Sequence, residues 1–211
     1  MVTVQRGSDN VAPIIGISRH RLATDGVGVT TLVGFYGCPL RCRYCLNPQS
    51  FAADTQTMRL TPEELYERVK IDQLYFLASG GGVTFGGGEP LLYADFLRRF
   101  REHCGSHWHL CAETSLLVPW ESVEKAAEVV DEFIIDCKDT NGDIYRRYTG
   151  QSNERMLQNV KKLAELVSPE RIVIRLPLIP DYNGDEDLQK SQALFEKMGI
   201  TRFDMFTYLK K

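Results

Sequence analysis

Six apolar runs alternate with amphipathic stretches along this chain, and that alternation restricts the fold more than any single residue does. The runs are VTTLVGFY (Val29–Tyr36), GGVTF (Gly81–Phe85), WHLCAET (Trp108–Thr114), EFIIDCK (Glu132–Lys138), RIVIRLPLI (Arg171–Ile179) and FDMFTY (Phe203–Tyr208). They are rich in β-branched and aromatic residues and are mostly apolar rather than strictly alternating, as strands buried on both faces are. Between them the 3.6-residue period predicts helices over LTPEELYERVKIDQLYFLA, ADFLRRFREHC, SVEKAAEVV, Asn153–Leu166 and about Asp187–Lys197. The first opens on a capping signature: Thr61, then Pro62, then Glu64 three residues after the cap. Strand, helix, strand in this order implies a parallel sheet with right-handed crossovers, either an open doubly wound sheet or an incomplete barrel. Both gather ligands at the C-terminal ends of their strands. Cys38, Gly87 to Glu89, Glu113, Thr114, Asp136, Lys138 and Arg175 all fall at or just past such ends.

The segment GCPLRCRYCLNPQSF, Gly37 to Phe51, follows the first run and carries Cys38, Cys42 and Cys45 in C-x3-C-x2-C spacing. A loop this short can turn three sulfurs to one side. The N-terminus MVTVQRGSDNVAP has no apolar stretch of the kind a signal peptide needs, so a cytoplasmic location and reduced thiols are expected. A structural zinc site is normally closed by a fourth Cys or His, usually as a second pair, and none is evident here. A four-iron cluster held by three thiolates keeps one iron open, so the missing ligand becomes a functional vacancy. Zinc and three unrelated buried thiols remain the alternatives. Cys104, Cys111 and Cys137 sit in apolar segments and read as core.

Other classes are disfavoured. A net charge of −3 with scattered Lys and Arg lacks the electrostatic footprint of a nucleic-acid binder, and no uncharged run is long enough to cross a bilayer. One domain over residues 1–211 is expected, monomeric, with the first dozen residues poorly ordered because nothing in them reads as a packing element.

Glycines 86 to 88 would let a backbone approach a ligand closely, though a flexible turn would use them equally. Lys138 and Arg175 are cations in or beside buried strands, where each needs an anionic partner. A structural bridge from Lys138 to Asp136 or Glu113 would meet that need without any ligand. Tyr208 ends the last strand, where it either packs in the core or lines a site.

Together the cysteine loop with Tyr44 before its last cysteine, and GGGEP at Gly86–Pro90, resemble the radical S-adenosylmethionine superfamily. TDGVG (Thr24–Gly28), GGGVTFGGGEP, DCK (Asp136–Lys138), RYTGQSN (Arg147–Asn153) and IRLPLIPDYN are similar to segments of glycyl radical enzyme activating enzymes of the pyruvate formate-lyase activase type. The resemblance implies an incomplete (β/α)6 barrel of TIM type, with a parallel six-stranded sheet. It implies a [4Fe-4S] cluster on Cys38, Cys42 and Cys45 and S-adenosylmethionine chelated by the open iron. Gly87, Gly88 and Glu89 would then meet the methionine ammonium, and Lys138 and Arg175 the methionine carboxylate or nearby acids. Glu113, Thr114 and Asp136 would bind the ribose or a monovalent cation, and Tyr208 would line the adenine side, with Lys138 and Asp136 the residues closest to catalysis. The implied partners are the glycine loop of a glycyl radical enzyme and a small electron donor such as flavodoxin or ferredoxin, in an anaerobic cytoplasm. The chain departs from the activase pattern at Leu46, where those enzymes commonly place histidine. That departure keeps open a small-molecule or ribosomal-peptide substrate, and a non-catalytic metal-binding module is the alternative of another class.

Overall fold

The computed structural model describes residues 11–22 and 25–208. They form one eight-stranded sheet in the order β3-β1-β2-β4-β5-β6-β7-β8. The strands are β1 (Ala12–Leu22), β2 (Val29–Phe35), β3 (Met58–Leu60), β4 (Gly82–Gly87), β5 (His109–Thr114), β6 (Glu132–Asp136), β7 (Ile172–Leu178) and β8 (Phe203–Thr207). The six expected strands are the parallel ones, β2 and β4 to β8. β8 has a partner only in β7 among the described residues, so the sheet stays open, as an incomplete barrel requires.

Two strands exceed the expected six-stranded sheet. β1 and β3 add antiparallel at the outer side of β2. β1 begins at Ala12, inside the segment expected to be poorly ordered; residues 1–10 lie outside the described residues. The first half of β1, APIIGI, is apolar, with Ala12 and Ile14 fully buried, but the second half is mostly exposed, and β3 is only three residues long.

The helices are α1 (Pro62–Val69), α2 (Gln73–Ser79), α3 (Ala94–Cys104), α4 (Trp120–Ala127), α5 (Gly142–Thr149), α6 (Glu154–Leu166) and α7 (Asp185–Glu196). The Thr61 hydroxyl accepts from the Glu64 amide at 3.1 Å and the Glu64 carboxylate from the Thr61 amide at 2.8 Å, so the predicted capping box forms. Thr61→Ala is expected to lower stability by about 1 kcal/mol in a urea titration, with the denaturant slope unchanged. The single helix expected here is in fact two, broken by a 3-10 turn at Lys70–Asp72. Asp72 is fully buried at the break, where it accepts from Arg19 and from Thr31 at 3.0 Å and lies 3.1 Å from His20 Nε2. Those partners are on β1 and β2, so periodicity within the helix carries no sign of them. α5 was also not expected. Asn141 caps its start, its side chain accepting from the Asp143 and Ile144 amides, and Gly150 ends it at φ 77°.

The sheet has two unlike faces. In-register Val33, Phe85, Ala112, Phe133 and Ile172 are fully buried beneath the helices. Phe85 meets Phe35 and Phe100 edge to face at 5.9 and 5.4 Å. On the opposite face the rungs read Thr84, Cys111, Glu132 and then Asp136, Arg175, Asp204. Asp25 and Gly26, just before β2, lie over this polar face, where the Thr84 hydroxyl donates to the Asp25 carbonyl. Thr24, from the TDGVG segment, is outside the described residues. Among the described residues no helix is long and apolar enough to cross a membrane.

Candidate active site

The cysteine loop leaves the C-terminal end of β2 through Gly37, whose φ of 100° few other residues adopt. Backbone bonds pin it: Gly37 N to Ser50 O at 2.7 Å, Arg41 N to Thr149 O at 2.9 Å and Arg43 N to Tyr148 O at 3.1 Å. α5 thus holds the stretch that carries Cys42. Burial pushes the Cys38 thiol up to about 12, with the Glu89 charge adding to it. Burial likewise pushes Cys42 up to about 11, although the ammonium of Lys138 opposes the shift. At neutral pH both are protonated as free thiols; a bound metal centre supplies the positive charge that makes them thiolates. Cys104, Cys111 and Cys137 are buried in core positions.

The Gly86–Glu89 segment lies directly against this loop. Gly88 N donates to Phe35 O at 3.0 Å and Glu89 N to Gly37 O at 2.8 Å. Gly87 has φ 82°, and a Cβ on Gly88 would stand 2.2 Å from Gly37 O, so this contact admits no side chain. Glu89 is fully buried and turned inward. Its carboxylate accepts from the Thr114 hydroxyl (2.6 Å), the Ser115 amide (2.9 Å) and hydroxyl (2.6 Å), and the Leu91 amide (3.2 Å). Burial raises its pKa and these donors oppose the rise. The structure therefore gives Glu89 a role in joining the end of β4 to that of β5.

The charged residues meet on the polar face. Lys138, with 7% of its side chain exposed, lies 3.3 Å from Asp136 Oδ2 and donates to the Tyr208 hydroxyl at 3.0 Å. Burial alone favours the neutral amine, yet Asp136, Tyr208 and Cys42 together hold its pKa well above the ordinary value. Of the two structural bridges open to Lys138, the fold makes the one to Asp136. Arg175 donates to Glu113 at 2.9 Å and to Asp204 at 3.0 Å, and lies 3.8 Å from Asp136 Oδ1, an oxygen with no hydrogen bond among the described residues.

Glu113 is pushed up to about 7 by burial, with Asp136 and Asp25 adding to the rise and Arg175 opposing it. Its folded pKa exceeds the ordinary value of 4.5, so between that value and about 7 the native state binds the extra proton. Stability from this group is complete below the unfolded pKa and is lost as pH rises through the folded one. Glu113→Gln should remove this part of the slope in melting temperature against pH across that window.

The structure thus gathers Cys42, Asp136, Lys138 and Tyr208 in one place, Cys38 beside Glu89, and Glu113 with Arg175. Thr114 is separated from Glu113, because neighbours on a strand point to opposite faces. Four contributors were not anticipated: Ser115, Asp204, Tyr145 and Tyr148. The hydroxyls of Tyr145 and Tyr148 are buried with no hydrogen-bond partner among the described residues. Burial raises both phenols, and the charge of Cys42 bears on each. Their spacing of three on α5 is the signal that could have marked them.

This donor set fits an iron-sulfur cluster. Thiolates suit iron, a lysine and two unpaired hydroxyl donors lie on the Cys42 side, and side-chain-free glycines border the loop. Among the described residues no three His, Cys, Asp or Glu side chains converge to hold one metal ion. A four-iron cluster, which binds each thiolate through a different iron, does not need such convergence.

The family model for the radical SAM superfamily matches residues 32–192. The chain is 30% identical to a (2S)-3-sulfopropanediol dehydratase activating enzyme of Klebsiella oxytoca, across 76% of this chain and 69% of that protein. It is 31% identical to a pyruvate formate-lyase-activating enzyme of Staphylococcus aureus, across 87% of this chain and 76% of that protein. Among solved structures, SuiB of Streptococcus suis aligns with a TM-score of 0.63 at 15% identity, over 83% of this chain and 38% of that one. TYW1 with a lysine-pyruvate adduct aligns at 0.61 and 18% identity, over 86% of this chain and 65% of that one. At such identities the two structures show a shared fold.

Proposed function

The chain belongs to the radical SAM superfamily, and on that premise we propose that it is an activating enzyme that installs a glycyl radical on a partner enzyme. Cys38, Cys42 and Cys45 hold a [4Fe-4S] cluster whose fourth iron is left to S-adenosylmethionine. When bound, the cluster supplies the electron that splits S-adenosylmethionine into methionine and a 5′-deoxyadenosyl radical, which takes hydrogen from a backbone glycine of the partner.

The chain's own residues bind and orient. Gly87 and Gly88 allow backbone to approach the methionine ammonium. Lys138, already desolvated beside Cys42, meets the methionine carboxylate. Asp136 Oδ1, which has no hydrogen bond among the described residues, accepts from a ribose hydroxyl, and Tyr208 borders the adenine. Electrons come from a small donor protein of flavodoxin or ferredoxin type, in a reducing, oxygen-free cytoplasm.

The observation that carries this reading is the placement of the three-thiol loop, the glycine segment and the Lys138–Asp136 pair together at the C-terminal ends of β2, β4 and β6. Identities of about 30% to proteins named as activating enzymes support the choice of substrate. Anaerobic reconstitution should give close to four irons per chain, and dithionite with S-adenosylmethionine should give 5′-deoxyadenosine. Mixed with a glycyl radical enzyme, the reduced protein should produce a glycyl doublet in the electron paramagnetic resonance spectrum. Failure to form 5′-deoxyadenosine removes the catalytic reading; 5′-deoxyadenosine without a doublet on any glycyl radical enzyme points to a small-molecule or peptide substrate.

A further inference from the structure

A monovalent cation, which the family resemblance suggests for Glu113, Thr114 and Asp136, needs oxygens with available lone pairs turned to one point. These three do not supply it. Thr114 faces away from Glu113, and its hydroxyl is occupied by Glu89 at 2.6 Å and by the Leu116 amide at 2.9 Å. Glu113 and Asp136 do face each other, but a guanidinium stands between them. Arg175 Nη1 is 2.9 Å from Glu113 Oε1 and 3.8 Å from Asp136 Oδ1, while its Nε is 3.0 Å from Asp204. With 14% of its side chain exposed, it brings one permanent positive charge into this group of acids. A planar fork reaches carboxylates on β5, β6 and β8 from a single position on β7, as a coordinated ion would.

We propose that the Arg175 guanidinium takes the place of that cation, ordering Glu113 and Asp136 so that this chain binds S-adenosylmethionine with no alkali-metal ion. The proposal rests on the reading above, that this face receives S-adenosylmethionine. Arg175 is in this sense a positioning residue.

The test uses the reconstituted protein at fixed ionic strength in potassium, sodium or choline chloride, at a pH well above the Glu113 value so that its carboxyl group is ionised. Equilibrium dialysis of S-adenosylmethionine and melting temperature are the two measurements. The wild type should bind equally in all three salts, within about twofold, and melt within about 1 °C. Arg175→Gln should bind about tenfold more weakly in choline and recover saturably with potassium or sodium. Arg175→Lys keeps the charge and should be indifferent to the choice of cation.

A saturable gain in wild-type affinity or melting temperature with potassium or sodium overturns the proposal, as does an Arg175→Gln protein indifferent to cations. If Arg175→Gln does not fold in any salt, the double variant Arg175→Gln with Glu113→Gln replaces it. Indifference of that doubly neutral chain then supports the proposal and a saturable response overturns it. If no form binds S-adenosylmethionine in any salt, the functional reading fails, while the melting temperatures still decide the role of Arg175.

Discussion

Cys42→Ala should give a protein that folds and melts like the wild type yet retains little iron and forms 5′-deoxyadenosine more than about a hundredfold more slowly. The expectation of normal folding rests on how the loop is held. Its neighbours are fixed by backbone bonds, Arg41 N to Thr149 O and Arg43 N to Tyr148 O, which the substitution leaves in place. The Arg41 guanidinium also donates to the carbonyls of Cys38 and Leu40, both at 2.7 Å. What the substitution removes is one of three thiols, and no fourth cysteine is near in sequence to replace it. Iron and sulfide analysis after reconstitution, with circular dichroism as the folding control, separates loss of ligand from loss of fold. Undiminished iron together with undiminished cleavage would refute Cys42 as a ligand.

Gly88→Ala should be the most damaging conservative change in the glycine segment. The added Cβ would stand 2.2 Å from Gly37 O and 2.7 Å from Phe35 O, both backbone atoms that cannot rotate away. Relief requires parting β4 from the end of β2, and with it the Gly88 N to Phe35 O and Glu89 N to Gly37 O bonds that seat the cysteine loop. A loss of about 3 kcal/mol is expected, lowering the melting temperature by roughly 10 °C, with poorer cluster retention. Gly16→Ala is the control. A Cβ there meets nothing within 4 Å, and its effect should stay within about 0.5 kcal/mol. Equal melting temperatures for the two variants would show that the contact is not a constraint.

The parallel strands and most helices were legible because their signals are local: apolar runs, a capping box, a 3.6-residue period. The elements missed carry these signals over only part of their length or not at all. β1 exposes half its length, β3 is too short to show a pattern, and the break before α2 depends on Asp72 finding Arg19 and Thr31 on other strands. In the site, the cysteine loop was plain from spacing alone, and the bridge between Lys138 and Asp136 was foreseeable because the two are two residues apart, a spacing that shares a face in extended chain. Tyr145 and Tyr148 were harder to see, since only the docking of α5 on the loop brings them to the thiols.

The sequence by itself determined the alternating architecture, the membership in a family, and where along the chain the chemistry-bearing residues fall. Each of these rests on residues within a few positions of one another. Only the tertiary structure decided which partner each buried charge takes. Glu89 turns to Thr114 and Ser115, 25 and 26 residues away, and Arg175 reaches Glu113 across 62. Such pairings follow from strand register and from which face a side chain occupies, and a burial cost of several kcal/mol per unpaired charge makes them obligatory once the sheet has formed. The spacing of the thiols marks one loop; the register of β5, β6 and β7 is what brings Arg175 to Glu113 and Asp136.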